Sequence, residues 1–190
     1  MEKGDLRDAV ATAGIHDGKM VQFRDELRLG LHGRTRRVLA PRGVKVVQRV
    51  QVEYRWRYLL LAVALLTGEL HWAWIERMRQ EHLQPVLEEW ELACVVWDGA
   101  PSHKGKQIAE LETKRIALPA YSPELNPAER VFEEMRARVE GVVYESLDAK
   151  QAEAETYLKE LQNDPQRLRR LCAWSWLNDA LTRLPPPAAV

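Results

Sequence analysis

Three observations predict an α/β fold with a mixed sheet. Segments that alternate apolar and polar residues follow one another as far as Trp74, with turn signals between them, which describes a meander of antiparallel strands. From Ile75 the apolar spacing lengthens to that of a helix. A short apolar run, Ala93-Cys94-Val95-Val96-Trp97, then stops at Asp98-Gly99, as a buried parallel strand stops in a crossover turn.

Residues 1–18 carry Gly, Asp and Lys without a sustained period and read as a tail or linker. Residues 19–143 read as one domain, and residues 144–190 as a C-terminal helical extension. Met20–Leu31 alternates as a strand: Val21, Phe23, Asp25, Leu27, Leu29 and Leu31 share one face, and Met20, Gln22, Arg24, Glu26 and Arg28 the other. Arg34–Gly43 is a basic loop in which Pro41 and Gly43 signal a turn. Val44–Trp56 alternates again, Tyr58–Leu66 reads as a buried strand, Thr67-Gly68 as a turn, and Glu69–Trp74 as a strand with Leu70, Trp72 and Trp74 inward. Ile75–Trp90 is predicted as a helix with Ile75, Met78, His82, Val86 and Trp90 on one side, kinked or split by Pro85. Ser102 suits the cap of a helix through Gln107–Leu111, and Arg115–Leu118 is the next short strand. Helices follow to about Glu140, over Ser146–Leu161 and over Gln166–Leu184, before a Pro-rich end.

A chain of 190 residues, 46% of them hydrophobic, with seven Trp expected mostly in the interior, can build a substantial core. Formal net charge is zero, but it is unevenly spread. Residues 24–57 hold ten Lys or Arg against Asp25, Glu26 and Glu53, whereas residues 129–161 hold nine acidic against five basic. Such a basic half can face phosphates, and it can equally be a solvated charged hairpin. The two cysteines, Cys94 and Cys172, lack metal-ligand spacing and fit small core residues in a reducing compartment. The first fifteen residues are mostly charged or small and do not form a secretion signal. The longest apolar run, Tyr58–Leu66, is too short for a bilayer. The expectation is a soluble, cytoplasmic, nucleoid-associated protein with no membrane partner.

Carboxylates carry the chemistry. Asp25 lies on an apolar strand face, where an unpartnered charge costs several kcal/mol, so it needs a cation or strong donors; a salt bridge to an Arg would serve as well as a metal. Glu26, among polar neighbours, is expected to be a bystander. Asp98 follows a strand end, where ligands gather in open sheets, although an Asp before Gly is also an ordinary turn residue. Asn126-Pro127-Ala128-Glu129 opens a helix, with Asn126 as cap, Pro127 first in the helix, and Glu129 placed to turn back on the cap's N–H. If Asp25, Asp98 and Glu129 converge, a divalent ion must offset their repulsion, and all-oxygen ligation favours Mg²⁺ or Mn²⁺ over Zn²⁺.

Asp25-Glu26, then Trp97-Asp98-Gly99-Ala100-Pro101-Ser102-His103, then Leu118-Pro119-Ala120-Tyr121-Ser122-Pro123-Glu124-Leu125-Asn126-Pro127-Ala128-Glu129-Arg130 closely resemble the DDE-type catalytic domain of bacterial mariner-like insertion-sequence transposases. The last motif is highly specific, and the 30 residues between Asp98 and Glu129 suit that family's compact second interval. The resemblance runs from about Lys19 to Tyr144, with Trp-Ser-Trp-Leu near Trp176 like the family's C-terminal end. It implies an RNase H-like fold and a DNA endonuclease and strand transferase using two Mg²⁺ or Mn²⁺ ions, with Asp25, Asp98 and Glu129 as catalytic residues and metal ligands. Its DNA partners would be the element's ends and a target, met by an active dimer. His103 would touch a phosphate or orient a water, although a surface histidine at a helix start is the plainer reading, and Asn126 would support Glu129 by capping. Arg34, Arg36, Arg37, Arg42, Lys104 and Lys106 are candidates for backbone phosphates, each alone being an ordinary surface charge. The family's helix-turn-helix end-recognition modules have no room before Asp25. The expectation is therefore an upstream-encoded helix-turn-helix part, as in a split reading frame, or else a truncated, inactive remnant that only binds DNA or a partner subunit. A purely hydrolytic RNase H-like nuclease is the remaining alternative.

Overall fold

The computed structural model describes residues 3–33, 39–99, 105–119 and 122–187. Its strands are β1 (Val21–Gly30), β2 (Trp56–Ala64), β3 (Glu69–Ile75), β4 (Cys94–Trp97) and β5 (Lys114–Ala117). Its helices are α1 (Lys3–Thr12), α2 (Gln80–Trp90), α3 (Lys106–Ala109), α4 (Ala128–Val139), α5 (Leu147–Gln162), α6 (Pro165–Cys172) and α7 (Ser175–Thr182). The sheet order is β3-β2-β1-β4-β5; β1–β2 and β2–β3 are antiparallel, β1–β4 and β4–β5 parallel. The mixed sheet predicted from the alternation and the crossover turn is the one observed.

Being central, β1 is covered on both faces. Val21, Phe23, Leu27 and Leu29 join the larger core with α1 and α4–α7. The other face meets a smaller core under α2 and α3, in which Leu60, Ala62, Val95 and Trp97 pack with Leu83, Leu87 and Ile108. Gln22 and Arg24 on that face are buried as well, not solvated.

Several expectations change on folding. Residues 44–55 form no strand. β2 begins at Trp56 because its partner β1 ends at the opposed Gly30. Before that point the Leu31 N–H to Arg55 C=O and Gly33 N–H to Gln51 C=O bonds (3.0 and 2.8 Å) tie the segment to the end of β1. The alternating side chains Val44, Val46, Val50, Val52 and Tyr54 therefore have no layer to cover them and stay exposed. The tail is partly helix: Leu6 and Val10, one turn apart, are fully buried and α1 packs on α7. Two apolar residues at that spacing are too few to announce a period.

α2 starts at Gln80, since Ile75 belongs to β3, and its buried side is Leu83 and Leu87 instead of the predicted stripe. Pro85 lies within α2 without splitting it. Sixth of the helix's eleven residues, it forfeits one bond, to the carbonyl of Glu81, an exposed residue. The predicted last helix is two, α6 and α7, parted at Ala173-Trp174. Of the seven Trp only Trp97 is fully buried; Trp72, Trp74, Trp90, Trp174 and Trp176 pack at the core margins, and Trp56 is exposed. α5–α7, expected as an extension, share the larger core with the sheet. Tyr157 of α5 donates to Glu134 of α4 (3.0 Å), which Arg167 of α6 also binds (3.0 Å), so one carboxylate ties three helices. Ser146 caps α5 as its sequence suggests, accepting from the Ala149 N–H. Among the described residues no helix is long and apolar enough to cross a membrane.

Two expected outcomes follow from this packing. Gly68, in the β2–β3 turn, has φ +75°, and a Cβ there would collide with the Pro165 backbone and stand 2.9 Å from the Pro165 Cβ. Gly68→Ala should cost about 2–4 kcal/mol, read by chemical denaturation, because strain and collision add. Burial raises the Cys94 thiol to about 11 and the Cys172 thiol to about 12. Neither is a thiolate at neutral pH, so a thiol reagent should label the native chain slowly and the denatured chain at both sites.

Candidate active site

Parallel pairing places the first two carboxylates. The β1–β4 ladder runs Val21↔Cys94, Gln22↔Val95 and Phe23↔Val96. The same offset, carried two residues further, sets Asp25 opposite Asp98 where the strands part. Alternation puts both on the face of Phe23 and Val96, whose core α4 covers. Asp98 is exposed just beyond β4, at the carboxyl end of a strand. Asp25 is half-buried, and its Oδ1 accepts from the Glu26 N–H (2.8 Å).

Glu129 sits in the first turn of α4, half-buried. Its charge reaches Asp25. Burial pushes the Asp25 carboxyl up to about 7; the Glu26 N–H pulls the other way, and the Glu26 and Glu129 carboxylates add to the rise. The Glu129 Oε2 lies 3.5 Å from Nη1 of Arg136, two turns along the same helix, and that guanidinium rests 5.9 Å from the Phe132 ring centroid.

Asn126 joins these parts. Its side-chain N–H donates to the Arg24 carbonyl on β1 (3.1 Å), and its Oδ1 accepts from the Ala128 N–H (3.2 Å). The residue is buried, so both bonds are made out of water. The cap expected of Asn126 is thus shared with a bond to the sheet. The capping box does not form: the Asn126 N–H goes to the Pro123 carbonyl (2.9 Å) and the Glu129 carboxylate turns to Arg136.

Arg24 is the residue sequence reasoning missed. Assigned to a solvated face, it is fully buried, donates to the Glu26 Oε2 (2.7 Å), and lies 5.7 Å from the Trp97 ring centroid. Burial draws its guanidinium below the usual range, while Glu26, Asp25 and Asp98 oppose that pull. One buried cation therefore feels both aspartates at once. Glu26 is no bystander: it, and not Asp25, takes the Arg salt bridge. The usable signal was the parallel partner strand, because a strand flanked on both sides is covered on both faces. Arg136, seven residues after Glu129, was legible only as a helix-face spacing.

Among the described residues no group of three or more His, Cys, Asp or Glu is gathered closely enough to hold a metal. Glu129 is near enough to raise the cost of ionising Asp25, and like charges held so favour a cation between them. The donor set fits a hard divalent ion, being carboxylate oxygen alone. Of the candidate phosphate contacts, Arg42 is exposed in a turn, and Lys106 is exposed at the start of α3, on the sheet face opposite α4. Arg34, Arg36, Arg37, His103 and Lys104, with the Ser102 cap, lie outside the described residues.

Residues 20–150 match the family described as DDE superfamily endonuclease. The structure resembles the Mos1 transposase paired-end complex with left transposon end, with TM-score 0.62 and 11% identity over 96% of this chain and 61% of that one. It resembles the Mos1 mariner paired end complex with Mn, with TM-score 0.63 and 11% identity over 95% and 60%. It also resembles the Mos1 Strand Transfer Complex, with TM-score 0.58 and 13% identity over 91% and 62%. At these identities the likeness establishes an RNase H-like fold and nothing finer. The chain spans about three fifths of those chains. No curated protein matches it.

Replacing Asn126 by Ala strands the Arg24 carbonyl and the Ala128 N–H in a buried setting. Unfolding free energy should fall by about 1–3 kcal/mol in a denaturant titration. A change under a few tenths would mean that the bridge does not hold α4 to β1.

Proposed function

The chain belongs to the DDE superfamily endonucleases, and from that premise we propose that it is the catalytic part of a DNA transposase, cutting DNA at the ends of a mobile element and joining it to a target. The observation that carries this reading is geometric: the β1–β4 register sets Asp25 opposite Asp98, and the Asn126 bond to β1 ties the start of α4, which bears Glu129, to the same strand. The three carboxylates are the residues we assign to catalysis and metal binding. The manganese named for one Mos1 complex supports a divalent ion, Mg²⁺ or Mn²⁺, and the oxygen-only donor set suits two of them. Such ions, when bound, activate a water or 3′-hydroxyl and stabilise the leaving oxygen in phosphoryl transfer.

The remaining residues prepare that chemistry. Asp25, pushed up to about 7, holds its proton about half the time at neutral pH in the metal-free chain. Arg24, buried within the sheet and bearing on both aspartates, lowers the cost of ionising Asp25. Arg136 steadies the Glu129 carboxylate along α4, and Asn126 fixes the start of that helix to the strand of Asp25. Arg34, Arg36, Arg37, Arg42, Lys104 and Lys106 supply phosphate contacts in this reading, and His103 a contact to a phosphate or water. The active form in this reading is a dimer working on the DNA of the element's ends and target.

The test is nicking of supercoiled plasmid and joining of a labelled oligonucleotide end with Mg²⁺ or Mn²⁺. Wild type should nick only with the ion, and Asp98→Ala should lower the rate by at least about a hundredfold, on the order of 3 kcal/mol of barrier. Equal nicking by both proteins would overturn the assignment. Nicking without joining would make the chain a hydrolytic nuclease, and DNA binding without nicking an inactive remnant.

A further inference from the structure

At the far end of β1 from its start, a cleft of about 340 Å³ opens between residues 27–33, residues 48–56 and the turn after α4. That volume lies in the range of small-ligand sites. Two aromatic rings line it, each backed on one side by a cationic or heteroaromatic plane. His32 stacks on Tyr54 at 4.9 Å and 20°, and the Arg28 guanidinium lies 5.2 Å from the Trp56 ring centroid. Both rings keep open surface: Tyr54 is 72% exposed and Trp56 43%. A soluble chain gains nothing in folding by leaving two such rings in water.

The charge around the rings is mainly positive. Arg28, Arg49, Arg55 and Lys150 line the cleft, against Glu53 and Glu140. Glu53 is drawn to Arg55 (3.3 Å) and Gln51 (3.4 Å). Lys150 is 7% exposed, and its Nζ donates to the Gly30 carbonyl (2.7 Å) and stands 5.9 Å from the Tyr144 ring centroid, so a positive charge is fixed in the wall. Open aromatic faces within a cationic rim are how unpaired nucleic acid is held, the bases stacking and the phosphates pairing with cations. A duplex offers no base faces, and the cleft is too small to admit one.

The geometry points to a binding site for an unpaired DNA strand in this cleft, with one or two bases on Tyr54 and Trp56 and the backbone along Arg28, Arg49 and Arg55. The proposal rests on the DNA-processing reading above. Trp56 is opposite Gly30, five residues beyond Asp25 on β1, which at 3.4 Å per residue is about 17 Å. About five nucleotides at 3.4 Å each would cover that distance. Along β1 the cleft thus lies about five nucleotides from the level of Asp25.

The experiment uses the full chain, a 12-nucleotide single strand carrying 2-aminopurine, and a duplex of the same sequence, without divalent ion. Wild type should bind the single strand and quench its fluorescence by stacking. Tyr54→Ala and Trp56→Ala should each weaken that binding by about tenfold and remove quenching, with duplex binding changed less than twofold. Arg49→Ala should weaken binding and flatten its salt dependence while quenching of the bound strand survives. Unchanged single-strand affinity in the aromatic variants, or equal losses on duplex and single strand, overturns the proposal. So does a wild-type dimer that the aromatic variants abolish while oligonucleotide binding stays the same. Asp98→Ala separates the two readings. Quenching intact with no nicking by wild type removes the transposase assignment and keeps the cleft, whereas ion-dependent nicking with no quenching removes the cleft alone.

Discussion

The Asn126 side chain is the joint on which the site depends. It spends its amide N–H on the Arg24 carbonyl and its oxygen on the Ala128 N–H, so one buried residue closes both an exposed strand edge and a bare helix start. The β1–β4 ladder stops at Phe23↔Val96, and a carbonyl one residue further would otherwise face the interior unpaired. Glu129 is brought toward Asp25 because α4 starts where that carbonyl is satisfied. Local capping chemistry and the placing of the third carboxylate are thus one interaction seen from two sides.

Around this joint the protein holds more charge at the sheet surface than stability alone would select. Arg24 is wholly out of water, yet donates to Glu26 and bears on Asp25 and Asp98. Removing one member of such a group leaves the rest uncompensated, so the cluster is intolerant of single changes even where its net contribution is small. The raised Asp25 carboxyl is the visible cost: a group that burial and two neighbouring carboxylates keep reluctant to ionise. A site of that kind becomes comfortable only with added positive charge.

Strand length shapes the rest. β4 and β5 are four residues each, against ten in β1, so much of β1 runs on past its parallel neighbour. The open stretch exposes the carboxylates at one level and the Tyr54–Trp56 cleft at another. Helices α5–α7 and α1 pack with α4 in one continuous core on the face of β1 that carries Phe23 and Asp25, and the Tyr157–Glu134–Arg167 contact locks α4 among them.

By itself the sequence determined the sheet class and most element positions, and it singled out three carboxylates as candidates, because those readings follow from local rules. Period-2 alternation marks β1, an apolar run before Asp98-Gly99 marks β4, and Asn-Pro-x-Glu marks the start of α4. It could not say that residues 44–55 would form no strand, since alternation records which side chains agree with a strand and not whether another strand lies beside it. Nor could it say that Arg24 would be buried, because the polar face of a strand is solvated only if nothing packs on it, and strand order decides that. The partner of Glu26, the turn of Glu129 to Arg136 in place of its own cap, and the break between α6 and α7 are likewise choices among locally equal options. Tertiary structure made them, by setting which buried donors and acceptors had to be satisfied first.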